Sequence, residues 1–316
     1  MKKFGMLFSA IFLAMLCYSC NNTFDPNAPF RERYALNGIM RSDTTLQIVT
    51  LTRSYQPSDG VNPLSNTQDP AIVGAEVNLW YKDTLYPMRD TAFVRTDTSR
   101  YKDSVHCYYV NNLMPEDNQY IDIEALLPNG RLLKSSTQLP DVGPENFFDI
   151  SSDLTVPPTG KDFISVTWAS KPEIIYSPRV YIVYYPAGSS EPKQFQVPLF
   201  YINQNGTQIP VFTNPSKTNF VRIDMATIAQ YLNEIPNGGD KKNFSIGGLT
   251  IEVLVYDQYL STYYLSLQTG LDAFTVKLDG PDFTNIQGGY GIFGSYVRTV
   301  WDLKFTYNYL KSLGFY

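Results

Sequence analysis

The chain has 316 residues, with 25 basic and 30 acidic side chains and a net charge of −5. Residues 1–20 hold Lys2, Lys3 and no acidic residue, so the remainder carries −7; with no basic cluster to relieve it, this composition argues against nucleic acid as a partner. Beyond residue 20 the only cysteine is Cys107, so no intrachain disulfide forms there, and a body of about 300 residues, roughly two domains by length, must be stabilised by burial.

Lys2 and Lys3 precede an apolar run over residues 6–16. That run is too short for a bilayer core of ~30 Å, which takes ~20 apolar residues. The order of charge, apolar run and small residue is that of a secretory signal. Ser19 before Cys20 resembles the bacterial lipobox, although Cys17 and Tyr18 stand where a leucine and a small residue are usual. The expectation is therefore a signal over 1–20, acylation of Cys20, attachment to a membrane through that lipid, and a flexible tether over 21–32.

Strand signals begin at Tyr34. Residues 46–51 alternate, with Leu46, Ile48 and Thr50 on one face and Gln47, Val49 and Leu51 on the other. Residues 54–69 are rich in Pro, Gly, Asn and Ser and read as a long loop. In residues 71–81, Ala75, Val77 and Leu79 alternate with Glu76, Asn78 and Trp80, the pattern of a half-buried strand. Further strands are expected at 104–110, 119–127 and 131–137, with Asn129-Gly130 as a two-residue hairpin turn between the last two. Together these make a first β-sandwich over 33–140. Pro140, Pro144, Pro157 and Pro158 mark a connector, set at 141–158 just after the first of them.

The second unit, 159–316, opens with a strand ending at Trp168, followed by a Tyr-rich strand over 181–185, as in a fibronectin type III sandwich. Asn205-Gly206 gives a second hairpin signal. Asp224 is placed to cap a short helix containing Ile228 and Leu232, residues 249–255 read as a strand, and a short helix is favoured after Asp257. The fold expected is mainly β: two β-sandwiches, the first transthyretin-like and the second fibronectin type III-like, with one or two short helices.

The motifs that promise chemistry each have a plainer explanation. Gly289-Tyr290-Gly291-Ile292-Phe293-Gly294 matches G-x-G-x-x-G, but no strand precedes it and no helix follows, so a tight turn into a closely packed strand is expected rather than a dinucleotide site. His106, the only histidine, adjoins Cys107; on a strand the two point to opposite faces and do not form a nucleophile pair. Asp122 and Glu124 share a strand face, the best carboxylate pair for a glycoside hydrolase, with a solvated face as the alternative. The acidic loop at 149–153 lacks EF-hand spacing. No metal, cofactor or catalytic residue is assigned. Trp80, with Tyr81 beside it, is the candidate binding position, because aromatic faces stack on sugar rings and anchor protein interfaces; a second buried face is the plainer alternative and the favoured one.

The string from Phe283 to Tyr296 contains Asn285-Ile286-Gln287-Gly288-Gly289-Tyr290-Gly291-Ile292-Phe293-Gly294. It resembles the N-I-x-G-G-x-G-I-F-G ending of a family of Bacteroidota lipoproteins built on a domain of unknown function. The Leu36-Asn37-Gly38 and Val73-Gly74-Ala75-Glu76-Val77 segments look like the same family's N-terminal half. The resemblance implies an outer-membrane lipoprotein, anchored on the cell-surface or periplasmic side, often encoded beside SusC-like TonB-dependent transporters; it carries no catalytic residues. The leading function is a non-enzymatic accessory that binds a ligand or partner, such as a transporter or glycan. A surface glycan hydrolase and a structural or adhesive envelope protein are the alternatives. The tail beyond Trp301 runs past the motif, and its role is open.

Overall fold

A computed structural model describes residues 30–55, 67, 69–99, 101–142, 149–150, 154–204, 206–212, 214–268 and 283–315. The expected signal, Cys20, the tether up to residue 29 and most of the 54–69 loop lie outside them. Within them the chain is mainly β, as its alternating patterns require. Four strands of the first unit, β1 (Tyr34–Arg41), β2 (Gln47–Arg53), β5 (Arg89–Phe93) and β6 (Val105–Val110), join one end of a nine-stranded sheet. The other four, β3 (Glu76–Tyr81), β4 (Thr84–Pro87), β7 (Tyr120–Leu126) and β8 (Leu132–Gln138), form a separate sheet in the order β4-β3-β7-β8. Their inward residues, among them Leu36, Met40, Val49 and Leu51 from the large sheet and Val77, Leu79, Ile121 and Ile123 from the small one, make one buried cluster.

In the 46–51 alternation it is Gln47, Val49 and Leu51 that face this core. Gln47 is fully buried, and hydrogen bonds satisfy it: Nε2 donates to the carbonyls of Arg41, Thr44 and Leu113, and Oε1 accepts from Arg41 N. The turn after β7 differs in detail from the expectation. Leu127 N bonds Arg131 O at 2.8 Å and Gly130 N bonds Leu127 O at 2.9 Å, so the loop has three residues, Pro128, Asn129 and Gly130. A two-residue Asn129-Gly130 loop needs an N–H on the flanking residue 128 and a positive φ at Asn129; proline has no N–H and only Gly130 is positive, at φ +82°, so a type I turn closed by Gly130 forms instead.

The second unit supplies β12 (Tyr176–Pro186), β13 (Lys193–Val197), β17 (Phe244–Tyr256) and β18 (Tyr290–Phe305) to the large sheet. A three-stranded sheet, β16 (Phe220–Asp224), β11 (Phe163–Thr167) and β9 (Asp149–Ile150), packs against it. β14 (Phe200–Gln204) and β15 (Thr207–Val211) pair antiparallel with Gln204 opposite Thr207, and β10 (Thr155–Val156) pairs with the end of β18. Two short strands thus lie in the connecting segment. Helix α1 (Met225–Glu234) follows Asp224, whose side chain meets Arg222 and makes no cap hydrogen bond, whereas α2 (Gln258–Gln268) follows Asp257, which does cap it. The tail closes this core: α3 (Tyr307–Ser312) ends in a Schellman cap, with Phe315 N bonded to Leu310 O at 3.0 Å, and Phe315 is 1% exposed.

β18 joins the two units. Its first half pairs in parallel with β1, Ala35 to Tyr290 through Arg41 to Tyr296, and its second half pairs antiparallel with β17, Tyr256 to Tyr296 through Leu249 to Leu303. Phe293, Val297, Trp301 and Leu303 have the same parity along the strand, so the first two face the first core and the last two face the second on one side of one sheet. Val142 of the connector touches both cores. On the opposite side of the sheet, α2 lies over Leu254, Tyr256 and Ile292.

The glycine-rich string is the start of β18, and close packing explains its glycines. A Cβ on Gly289 would stand 2.7 Å from Tyr34 O, one on Gly294 2.5 Å from the Leu260 side chain, and one on Gly291 2.1 Å from Leu36 O. Gly291 also takes φ +102°. Gly291→Ala is expected to cost on the order of 3 kcal/mol or more, since the β1 backbone has to move. Gly130→Ala meets open space at a similar φ and should cost only about 1–2 kcal/mol. Urea denaturation of the two variants measures the contrast, and equal losses would mean that β1 and β18 do not pack this closely.

Candidate functional site

The outward face of the four-stranded sheet carries its side chains in rows set by strand register. Leu85, Trp80, Asp122 and Ser136 form one row; Pro87, Asn78, Glu124 and Lys134 form the next; Tyr120 and Gln138 form a third. Trp80 is 41% exposed, whereas Tyr81, pointing the other way, is 7% exposed and accepts a hydrogen bond from Glu116 N at 3.0 Å. The two therefore do not make one aromatic surface, and only Trp80 faces outward. Asp122 and Glu124 share its face, with Ile121 and Ile123 fully buried behind them. Lys134 Nζ lies 2.5 Å from Glu124 Oε1, a half-exposed pair of the kind that contributes ~0–1 kcal/mol.

β8 is an edge strand, and the segment before β18 covers part of that edge. Lys134 and Gln287 form a bridge, with Lys134 N donating to Gln287 O at 3.1 Å and Gln287 N to Lys134 O at 2.8 Å. Ser135 Oγ donates to Asn285 O at 2.8 Å. The Asn285 carboxamide in turn brackets the Phe293 backbone: its Nδ2 donates to Phe293 O at 2.6 Å and its Oδ1 accepts from Phe293 N at 2.9 Å. Asn285 so holds the wall in place, and Gln287 presents an exposed side chain beside it.

Two depressions result. One, of about 370 Å³, is lined by Trp80, Asp122, Glu124, Lys134, Gln287 and Tyr259 of α2, with others. The second, of about 480 Å³, lies at the junction of the two units and is lined by Tyr120, Gln138, Lys171, Tyr176, Asp257 and Tyr259, with others. Ser136 and Tyr259 belong to both, so they are one groove along β8. Tyr120 and Tyr259 are 61% and 38% exposed.

Asp257 lies at the base of the junction, 3% exposed. Thr137 Oγ1 donates to its Oδ2, Leu260 N donates to its Oδ1 at 2.7 Å as in a helix N-cap, and Asp257 N bonds Ser295 O at 2.9 Å. Ser295 Oγ lies 3.1 Å from Thr137 Oγ1 and donates to Gln138 O. One carboxyl thus ties together β8, α2 and β18. Burial pushes its pKa up to about 6, against the lowering effect of these hydrogen bonds.

The other candidates do not converge on a site. His106 Nδ1 is 3.9 Å from Asp90 Oδ1, while Cys107 points to the opposite face, where it is buried and its thiol pKa is raised by that burial. Among the described residues there is no group of three or more His, Cys, Asp or Glu placed to hold a metal ion. The side chains of 149–153 lie outside those residues. Sequence reasoning missed Tyr120, Tyr259, Gln287 and Asp257. Tyr120 was legible in the same alternation as Asp122; the others reach the site only through contacts between distant parts of the chain. No protein-family model matches this chain, and no curated protein matches it.

A carboxyl whose pKa is raised on folding stabilises the fold at low pH, and that stabilisation is lost as pH rises through the folded value. Its full extent is roughly 3 kcal/mol at 1.36 kcal/mol per pKa unit. The wild type should therefore lose stability between about pH 4 and 6 relative to the uncharged Asp257→Asn, whose amide oxygen still accepts from Leu260 N while its Nδ2 donates to Thr137 Oγ1 in place of accepting from it. Denaturation of both proteins across that range measures the difference; parallel pH curves would show that Asp257 does not titrate in the fold.

Proposed function

We propose that the chain is a non-enzymatic lipoprotein of the bacterial envelope, held in the outer membrane by acyl chains on Cys20, whose body binds a ligand or partner as an accessory to a TonB-dependent uptake system. The observation that carries the binding part is the groove, in which Trp80, Tyr120 and Tyr259 are exposed around polar side chains on a rigid sheet face. Large exposed aromatics in a concave site favour recognition. The anchor and the address rest on the N-terminal pattern and on the lipoprotein resemblance. With them goes the reading of the first unit as transthyretin-like and the second as fibronectin type III-like. Among the described residues no helix is long and apolar enough to cross a membrane.

Asp122 and Glu124 line the same depression, which favours the hydrolase as the second reading. They stand on an open face with Glu124 bound to Lys134, an arrangement better suited to orienting a ligand than to protonating a leaving group.

Palmitate labelling in cells should mark the wild type, while Cys20→Ala loses the label and leaves the membrane fraction. Pull-down of the lipidated protein from outer membranes should co-recover a transporter, and Trp80→Ala with Tyr259→Ala should weaken that recovery. An unlabelled wild type overturns the anchor. Recovery of the protein alone overturns the accessory role.

A further inference from the structure

We infer that the groove along β8 takes a neutral oligosaccharide lying across both depressions, with Trp80 and Tyr259 as stacking platforms. This rests on the reading of the groove as a binding site and names its ligand class. The floor from Lys134 to Gln138 is about 13 Å long at ~3.3 Å per residue, so it accommodates a chain of sugars rather than a single ring. Aromatic faces meet the C–H faces of sugar rings, and hydroxyl, amide and carboxylate groups meet their hydroxyls. The groove offers both kinds in alternation: Trp80, Tyr259 and Tyr120 among Asp122, Ser136 and Gln138.

The same geometry disfavours other ligands. A peptide adding to β8 as a strand needs its free backbone edge, and that edge is interrupted by the Lys134–Gln287 bridge and by Ser295 Oγ, which donates to Gln138 O. A compact apolar ligand needs an enclosed apolar pocket, whereas this floor is half polar and open. An anionic chain needs cations to spare; Lys134 is already bound to Glu124, and Asp122 and Asp141 line the groove alongside Lys171. The neutral class is what remains, with length as its selective feature.

The test uses the full lipidated chain in detergent, titrated by calorimetry with the hexamers of β-1,4-glucose, α-1,4-glucose, β-1,4-mannose and β-1,4-xylose, their disaccharides, and a galacturonate hexamer. At least one neutral hexamer should bind, with its disaccharide weaker by about tenfold, or about 1.4 kcal/mol. Trp80→Ala and Tyr259→Ala should each weaken the hexamer by a similar factor, and Trp80→Phe should restore part of the loss. Both side chains are exposed, so the variants are expected to fold; unchanged denaturation midpoints check this. No neutral hexamer bound, tighter binding of the galacturonate, or unchanged affinity in the double alanine variant would each overturn the inference. Groove-dependent recovery of a transporter without sugar binding sinks the sugar alone; absence of both removes the binding reading as well.

Discussion

Sixteen residues of β18 pair with strands from both ends of the chain. β1, the first strand, lies along its N-terminal half, and β17 lies along the other side of its C-terminal half, with the exchange at Tyr296. Each half completes the large-sheet layer of a different core. Without the first half, the Phe293 side chain leaves the N-terminal sandwich; without the second, Trp301 and Leu303 leave the other, while Val297, just past the exchange, still faces the first core. The connector separates the two units along the chain, and β18 joins them in space. Because its inward residues share one parity, the two smaller sheets cover the same side of the large one and leave a seam between them.

The glycine-rich segment is read most economically as the means by which β18 reaches that position. The β1 backbone and the Leu260 side chain close on β18 there, and the absence of a Cβ at Gly289, Gly291 and Gly294 admits Tyr34 O, Leu36 O and the Leu260 side chain respectively. Asn285 supplies from a side chain the two hydrogen bonds that a neighbouring strand would have given Phe293. Ile286 fills the first core at 5% exposure. A string that looks like a nucleotide fingerprint in isolation is thus occupied with architecture, and the phosphate-binding reading fails because a strand follows where a helix N-terminus is required.

The groove is a by-product of the same geometry. Its floor is the outer face of the β4-β3-β7-β8 sheet, its wall is the chain leading into β18, and its far end is the seam bridged by Asp257. The hydrogen-bonded link from Asp257 through Thr137 and Ser295 to Gln138 sits beneath it.

What the sequence determined by itself was local. Alternation assigned β2, β3 and β7, put Asp122 and Glu124 on an outward face and set Trp80 opposite Val77 and Leu79, because side-chain direction in a strand has period two; that the face of Trp80 is open rather than a second buried one was decided by the tertiary structure. Asn-Gly pairs placed two hairpins, and Asp224 and Asp257 marked helix starts. The same parity rule placed Tyr81 opposite Trp80, which its adjacency in sequence disguised. Only the tertiary structure decided that β18 belongs to both units, that the tail ending in Phe315 closes the second core, and that Tyr259 and Gln287 meet Trp80 in one groove. Among those contacts, Ser135 with Asn285 and Asn37 with Ile292 join residues 150 and 255 positions apart. No periodicity of a short window encodes them; they follow from which faces must be buried together once the strands exist.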